Sequence, residues 1–298
     1  MSRIIRIGTR ESKLAVIQAE LVAAAIRGSC PDIETHLVKI KTTGDIRLDV
    51  TLDKIGGKGL FIKELDAALM RGEVDICVHS YKDMPAEDNP EMPIVAVSPR
   101  EDARDVLILP QGADTLAPEK PIGCSSKRRQ VQLGEVYPGQ AVAPVRGNVL
   151  TRLEKLDRGD FSALVLAAAG IKRLGLWGWV SRAFECEEIL PSGCQGILAV
   201  QGRRGEDYSY LAQYNDRDAW DASLAERAFV GRLDCGCGAP VGVFAQISGS
   251  ELRLRGMIAG DDKIIRRDEV SGQRKDAVKL GEMLAGKMLA GGAIWAEK

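Results

Sequence analysis

Ile7-Gly8-Thr9, followed by Ser12-Lys13, is echoed by Ile122-Gly123-Cys124, followed by Ser126-Lys127. In both places a short apolar run gives way, after a few residues, to an amphipathic stretch, which reads as strand, loop, helix. A second pair follows in the same order: Arg71-Gly72-Glu73 precedes one apolar strand and Arg158-Gly159-Asp160 precedes another. The separations differ, and a long polar insertion around Thr42–Gly59 accounts for much of the difference. The dipeptides alone are weak signals. Their shared order predicts two similar α/β lobes facing one another across a cleft, a common place for a ligand.

Outward from these anchors, strands are expected at Ile4–Gly8, Glu34–Lys41, Val74–Ser80, Val106–Leu109, Pro121–Cys124, Ala141–Val145 and Ala163–Leu166. Helices are expected over Ser12–Arg27, Leu60–Met70, Ser126–Glu135 and Asn148–Leu156. Such interleaving implies parallel sheets with helices on both faces. From Asp218 the pattern changes to a helix (Trp220–Leu233), strands at Val241–Ser248, Glu251–Ala259 and Lys263–Val270, and a last helix (Arg274–Ala290). That is a small α+β domain. The expected partition is a first domain of residues 1–98 and 197–214, a second of 103–192 and a third of 218–298.

A chain of 298 residues suits two domains, or three small ones. Hydrophobic residues at 45% and charged residues at 28% exclude disorder as the dominant state. A net charge of −1 argues against a dedicated nucleic-acid coat, and 5% aromatics against base-stacking platforms. No segment approaches the roughly 20 apolar residues that span a bilayer. Arg3 and Arg6 flank Ile4 and Ile5 with no apolar signal-peptide core behind them. Seven cysteines scattered from Cys30 to Cys237 without a framework fit a reducing cytosol. A cytoplasmic protein is expected, with no membrane or nucleic-acid partner. Nothing suggests an extended apolar interface, so a monomer is expected.

Basic residues recur where expected strands end or helices begin: Arg10, Lys54 and Lys58 around Gly56-Gly57-Lys58-Gly59, Lys82, Arg128 and Arg129, Arg146 and Arg152. In open α/β sheets the ligand crevice lies at the carboxyl ends of strands, and helix N-termini favour anions. Any one of these side chains is most simply a solvated charge; the shared position of the set points to a polyanionic ligand. The glycine loop lacks P-loop spacing, and no Gly-x-Gly-x-x-Gly follows a strand. Asp83, in His79-Ser80-Tyr81-Lys82-Asp83, is the one acid among these cations. It can be a general acid, a general base or a counter-charge, or simply a turn residue before Pro85. His79 fits a buried hydrogen-bonded imidazole at least as well as a catalytic one. Cys235 and Cys237 flank Gly236 in a loop where nearby cations would favour a thiolate; with two histidines in the chain, a zinc site there lacks ligands.

Taken together, these residues resemble the porphobilinogen deaminase family of tetrapyrrole biosynthesis. The matching segments are Arg6-Ile7-Gly8-Thr9-Arg10, Gly56-Gly57-Lys58-Gly59-Leu60-Phe61, His79-Ser80-Tyr81-Lys82-Asp83-Met84-Pro85 and Ser125-Ser126-Lys127-Arg128-Arg129-Gln130. They continue in family order with Arg146-Gly147-Asn148-Val149-Leu150-Thr151-Arg152-Leu153, Ala169-Gly170-Ile171-Lys172-Arg173-Leu174, Gln195-Gly196 and Gly236-Cys237-Gly238-Ala239-Pro240. The resemblance implies an α/β fold of two periplasmic-binding-protein-like, doubly wound lobes around a cleft, plus the small α+β C-terminal domain. It implies a transferase that joins four porphobilinogen molecules head to tail, with loss of ammonia, into hydroxymethylbilane. It also implies a dipyrromethane cofactor held by a thioether to Cys237, and no metal.

Each pyrrole carries an acetate and a propionate, so a growing chain needs many Arg and Lys partners. By the same resemblance Arg10, Lys82, Ser126, Arg128, Arg129, Arg146, Arg152, Arg173 and Gln195 bind cofactor or substrate. Lys54, Lys58 and Phe61 belong to an active-site loop. Asp83 is the implied catalytic group, stabilising the azafulvene cation left when ammonia departs and exchanging protons with the pyrrole nitrogen. Two positions depart from the family, which usually has Gly in place of Cys235 and of Cys194. Cys235 therefore stands as a possible competitor for the attachment. A non-catalytic anion receptor with the same lobes is the rival reading, and it leaves Asp83 and Cys237 unexplained. A cysteine hydrolase lacks a histidine partner other than His79.

Overall fold

Ser12, Ser126 and Asn148 each accept a hydrogen bond from the backbone N–H three residues ahead, and each starts a helix. The computed structural model describes residues 3–42, 62–234, 239–260 and 264–290. Its helices are α1 (Lys13–Ser29), α2 (Lys63–Met70), α3 (Lys127–Val136), α4 (Val149–Asp157), α5 (Ala168–Arg173), α6 (Arg217–Leu233) and α7 (Ala277–Ala290). Strands β1 (Arg3–Arg10), β2 (Ile33–Ile40), β3 (Ile76–Ser80) and β4 (Ile94–Val97) come first. Next are β5 (Asp105–Ile108), β6 (Ile122–Gly123), β7 (Val142–Ala143), β8 (Ala163–Ala167) and β9 (Arg182–Ala183). Then follow β10 (Leu198–Gly202), β11 (Val241–Ser248), β12 (Glu251–Ala259) and β13 (Ile265–Gln273). Among the described residues no helix is long and apolar enough to cross a membrane.

The chain divides into two compact units, Met1–Glu101 with Gly196–Trp220, and Asp102–Gln195 with Asp221–Lys298. The first holds a sheet of order β2-β1-β3-β10-β4, the second a sheet of order β7-β6-β8-β5-β9. The two orders are the same once corresponding strands are matched, which is the internal echo read in the sequence. Gly8 of β1 pairs with Cys77 of β3, and Gly123 of β6 pairs with Leu164 of β8. A Cβ at Gly8 would lie 2.8 Å from Cys77 Sγ, and one at Gly123 2.6 Å from Leu164 Cδ2. Both glycines are there because the neighbouring strand's side chain fills the space. The second echo closes helices: Gly72 (φ +69) ends α2 and Gly159 (φ +81) ends α4, each in the left-handed region that a helix C-terminus favours. Each is bracketed by an ion pair, Arg71–Glu73 at 2.6 Å and Arg158–Asp160 at 3.0 Å.

Both sheets are covered on two faces. In the first, Ile5, Ile7, Ile76 and Val78 pack under Val22 and Ile26 of α1, while Cys77 faces Leu65 and Leu69 of α2. In the second, Leu164 and Leu166 pack with Leu153 and Leu156 of α4, while Ala163 and Val165 pack with Leu133 of α3. Each fully buried Leu or Ile contributes about 1.5–3 kcal/mol. The third sheet, β11-β12-β13, is an antiparallel meander whose inner face meets α6 and α7 through Phe229, Leu254, Leu280 and Leu284.

The sheets are mixed, a correction to the expected parallel arrangement. β10 runs antiparallel to β3 and β4, and β5 antiparallel to β8 and β9. Each reversed strand is the first after the chain passes from one unit to the other, at Glu101/Asp102 and at Gln195/Gly196. A parallel neighbour needs a long crossover connection, and the elements directly before these two, β4 and β9, are strands and not crossover helices. β4, β9, β10 and α5 have no counterpart among the elements expected from the sequence.

Candidate active site

In the first unit the site residues follow strand ends. β1 and β3 are parallel, with Ile7 beside Ile76 and Gly8 beside Cys77. β1 ends at Arg10; β3 ends at Ser80 and turns at once into a single 3-10 turn, Tyr81–Asp83. Tyr81 is buried and anchors that turn: its N–H donates to Ile197 O at 3.1 Å, and its carbonyl accepts from Met84 N at 3.1 Å. The turn leaves Lys82 half-buried and Asp83 exposed.

Behind this turn the polar side chains are tied down. Gln18 Nε2 of α1 donates to Ser80 Oγ at 2.9 Å. On the opposite face His79 Nε2 meets Gln201 Oε1 at 3.0 Å, while Gln201 Nε2 donates to Met92 O at 3.1 Å. With its amide nitrogen committed to that donation, Gln201 offers its oxygen as acceptor, so His79 carries its proton on Nε2. Burial pushes the His79 pKa down to about 4; the Gln201 hydrogen bond opposes the shift, and the charge of Arg10 adds to it. His79 is thus a neutral, buried hydrogen-bonding group, which settles the alternative left by the sequence. Burial raises the pKa of Asp66 of α2, with the same glutamine opposing the shift.

In the second unit Arg128 and Arg129 open α3 but do not point to solvent; they are 4% and 7% exposed. Both converge on Asp105, the first residue of β5, which is fully buried. Arg128 Nη2 donates to Asp105 Oδ2 at 2.8 Å and Arg129 Nη2 to Oδ1 at 2.7 Å. Gln195 Nε2 also donates to Oδ1 at 2.8 Å and to Ala103 O at 2.7 Å. Burial works to raise the Asp105 pKa, yet the two guanidiniums hold it well below the usual carboxylate range. Two cations against one anion leave one positive charge, and Arg129 Nε is a buried donor without a hydrogen-bond partner. A buried donor of this kind is costly unless an acceptor arrives. The sequence shows these arginines only as a basic helix start; the structure adds a buried ion-pair network to whatever else they do.

Ser126 caps the same helix, and its Oγ accepts from Arg129 N. Arg146 precedes the turn into α4 and Arg152 lies on that helix: Arg152 Nε donates to Gly147 O at 2.8 Å, and Lys155 Nζ to Arg146 O at 3.2 Å. Arg173 ends α5, half-buried. The neighbouring Lys172 Nζ meets Asp102 Oδ2 at 3.2 Å. Burial opposes ionisation of Asp102, but hydrogen bonds from Arg104 and Lys172 hold its pKa down at about 2. Lys54, Lys58, Phe61, Cys235 and Cys237 lie outside the described residues. Among the described residues no group of three or more His, Cys, Asp or Glu side chains is placed to hold a metal ion.

Sequence reasoning misses Asp105. The signal is there: an acid directly preceding the fully apolar run Val106-Leu107-Ile108, a place where a charge cannot stay without partners. It also misses Glu226, a buried acid of α6 that accepts from Cys194 N at 2.5 Å and Ala245 N at 2.7 Å.

Comparison with known proteins bears on what this arrangement is for. The family model "Porphobilinogen deaminase, dipyromethane cofactor binding domain" matches residues 5–210, and "Porphobilinogen deaminase, C-terminal domain" matches residues 220–290. A porphobilinogen deaminase of Alkaliphilus oremlandii is 56% identical over 284 residues, covering 95% of this chain and 96% of the relative. One from Ruminiclostridium josui is 55% identical over 291 residues, covering 97% of this chain and 99% of the relative. Among solved structures, the methionine-binding protein MetQ covers 73% of this chain and 92% of its own, with a TM-score of 0.46 at 11% identity. The assignment rests on the sequence relatives and the family models. The chain belongs to the porphobilinogen deaminase family, enzymes of tetrapyrrole biosynthesis that polymerise porphobilinogen on a covalently attached dipyrromethane.

Proposed function

We propose that Asp83 is the proton-transferring group of this polymerisation and that Cys237 carries the dipyrromethane. The observation that supports this reading most is the setting of Asp83. It is an exposed acid on a turn anchored by Tyr81 and directly follows Lys82, just past the end of a strand whose parallel neighbour ends in Arg10. The group's side chains suit the second unit's polar cluster: every ring carries carboxylates, and Arg128, Arg129 and Asp105 together retain a positive charge and an unpartnered donor. When bound, dipyrromethane supplies the end from which the chain grows.

The protein's own groups do the rest. Arg128 and Arg129 offer forked donors to carboxylates, as do Arg10, Arg146, Arg152 and Arg173, with Lys82 as a point charge. Ser126 and Gln195 add neutral hydrogen bonds, and Lys54, Lys58 and Phe61 form the active-site loop. Asp83 in its acid form gives a proton to the amine of porphobilinogen, whose C–N bond breaks to release ammonia. The carboxylate so formed stabilises the cation left behind and, once the new C–C bond to a pyrrole ring has formed, takes up the proton that ring loses. One carboxylate serves each of the four condensations, because every substrate presents the same amine and ring.

The chain is read as three domains, residues 1–98 with 197–214, 103–192 and 218–298. It is read as a cytoplasmic monomer without a nucleic-acid partner. Intact-mass measurement of the purified protein tests the core of the reading. An added mass of two pyrrole units is expected; an unmodified chain that still makes hydroxymethylbilane would remove the covalent primer from it.

A further inference from the structure

Asp105 touches three of the side chains given above to carboxylate binding, and this inference rests on that reading of Arg128 and Arg129. Neighbouring residues of a helix do not face one another. Arg128 and Arg129 are neighbours on α3, yet their guanidiniums meet the two oxygens of one carboxylate at 2.8 and 2.7 Å. Their common direction is therefore imposed by Asp105, not by the helix. The carboxylate is itself fixed from outside α3. It stands on β5, whose first residue pairs with Ala167 of β8, and its Oδ1 takes a further hydrogen bond from Gln195 Nε2 at 2.8 Å. The remaining donors are used in part: Arg128 Nη1 reaches Leu190 O at 2.5 Å and Arg129 Nη1 reaches Val165 O at 3.2 Å, while Arg129 Nε has no hydrogen-bond partner.

Without the anion, two buried cations would repel one another through a medium that screens poorly. With it, the cluster keeps a single positive charge, enough for one incoming carboxylate. We infer that Asp105 is a positioning residue for carboxylate binding: it converges Arg128, Arg129 and Gln195 on one point and sets the net charge they present.

Asp105→Asn in the full chain keeps the shape and removes the charge. Adduct occupancy by intact mass, the thermal midpoint, and KM and kcat for porphobilinogen are read on the same preparation. A positioning role raises KM about tenfold or more in adduct-bearing molecules, while kcat changes less than about threefold because Asp83 is untouched. A lower midpoint with wild-type KM overturns the inference. Should Asp105→Asn fail to accumulate as folded protein, Gln195→Leu keeps all three charges and removes the Gln195 hydrogen bonds to Asp105 Oδ1 and Ala103 O; several-fold higher KM is expected, and wild-type KM overturns the inference. Arg128→Lys and Arg129→Lys, which keep charge and lose the fork, separate the two levels. Wild-type KM in both overturns the reading of the arginines. Impaired lysine variants beside an unaffected Asp105→Asn overturn the role of Asp105 alone.

Discussion

His79 donates its Nε2 hydrogen to Gln201 Oε1 across 3.0 Å, linking β3 to the reversed strand β10 inside the first sheet. Because the imidazole is buried neutral, its pKa falls from 6.5 to about 4. The unfolded chain binds this proton more readily than the folded one, so the native state loses stability as pH drops from about 6.5 towards 4. At the low end of that window the loss is about 3 kcal/mol. Urea unfolding at pH 7 and at pH 4.5 is expected to show a steeper loss for wild type than for His79→Asn. Equal losses would show that His79 is not held neutral.

Asp83→Asn is expected to fold and to retain the covalent adduct when produced alongside a functional copy. Its turnover should fall by at least about a hundredfold, the scale of a lost acid–base group. Asp83 is exposed and its turn is anchored through Tyr81, so the thermal midpoint should hardly move. Turnover near the wild-type rate would take Asp83 out of the chemistry.

Cys194 sits at φ +61 and is 2% exposed, in a place where a glycine would cost nothing in backbone strain. A non-glycine residue there costs about 1 kcal/mol, partly recovered by burying the thiol. Cys194→Gly is therefore expected to stay within about 1 kcal/mol of wild type. Cys194→Val, β-branched at a positive φ, should lose more than about 2 kcal/mol. Denaturant midpoints of the two variants decide it, and a well-tolerated valine contradicts the backbone argument.

Cys237→Ser should give protein without the adduct, since a hydroxyl is a far poorer nucleophile than a thiolate. Cys235→Ser should keep it. Peptide mapping locates the modified residue directly; an adduct on Cys235 with Cys237 free would move the attachment by two residues and leave the enzyme class unchanged.

Locally determined features are legible in the amino-acid sequence itself. Ser12, Ser126 and Asn148 cap helices through their own side chains, and Gly72 and Gly159 end helices through their own φ angles, so a short window of residues carries the signal. The likeness of the duplicated lobes is legible for the same reason. What escapes depends on distant partners. Leu198–Gly202 is a strand only because β3 and β4 flank it, and its direction follows from how the chain changes unit. Asp105 gains its meaning from α3 and Gln195, neither of which is near it in sequence. The basic residues of the site are legible as a set, but which of them face solvent and which are paired in the interior is not: Arg128 and Arg129 are buried, whereas the sequence marks them only as the start of a helix.

The late arrival of β10 has a consequence for biosynthesis. Among the described residues β4 pairs with β10 alone, and β3 is flanked by β1 and β10. While the ribosome makes the stretch of about 120 residues between Ser80 and Leu198, β3 therefore keeps one side of open N–H and C=O groups for roughly 6–25 s. An exposed apolar strand edge is a template for joining another chain. Nascent chains halted before Leu198 should accordingly pellet with one another, whereas chains released beyond Gly202 should remain in the supernatant. The second sheet waits about half as long, because β8 follows β5 after about 50 residues without the chain leaving the unit. One half of the duplicated architecture can thus close in order of synthesis, while the other stays open until translation has passed right through its twin.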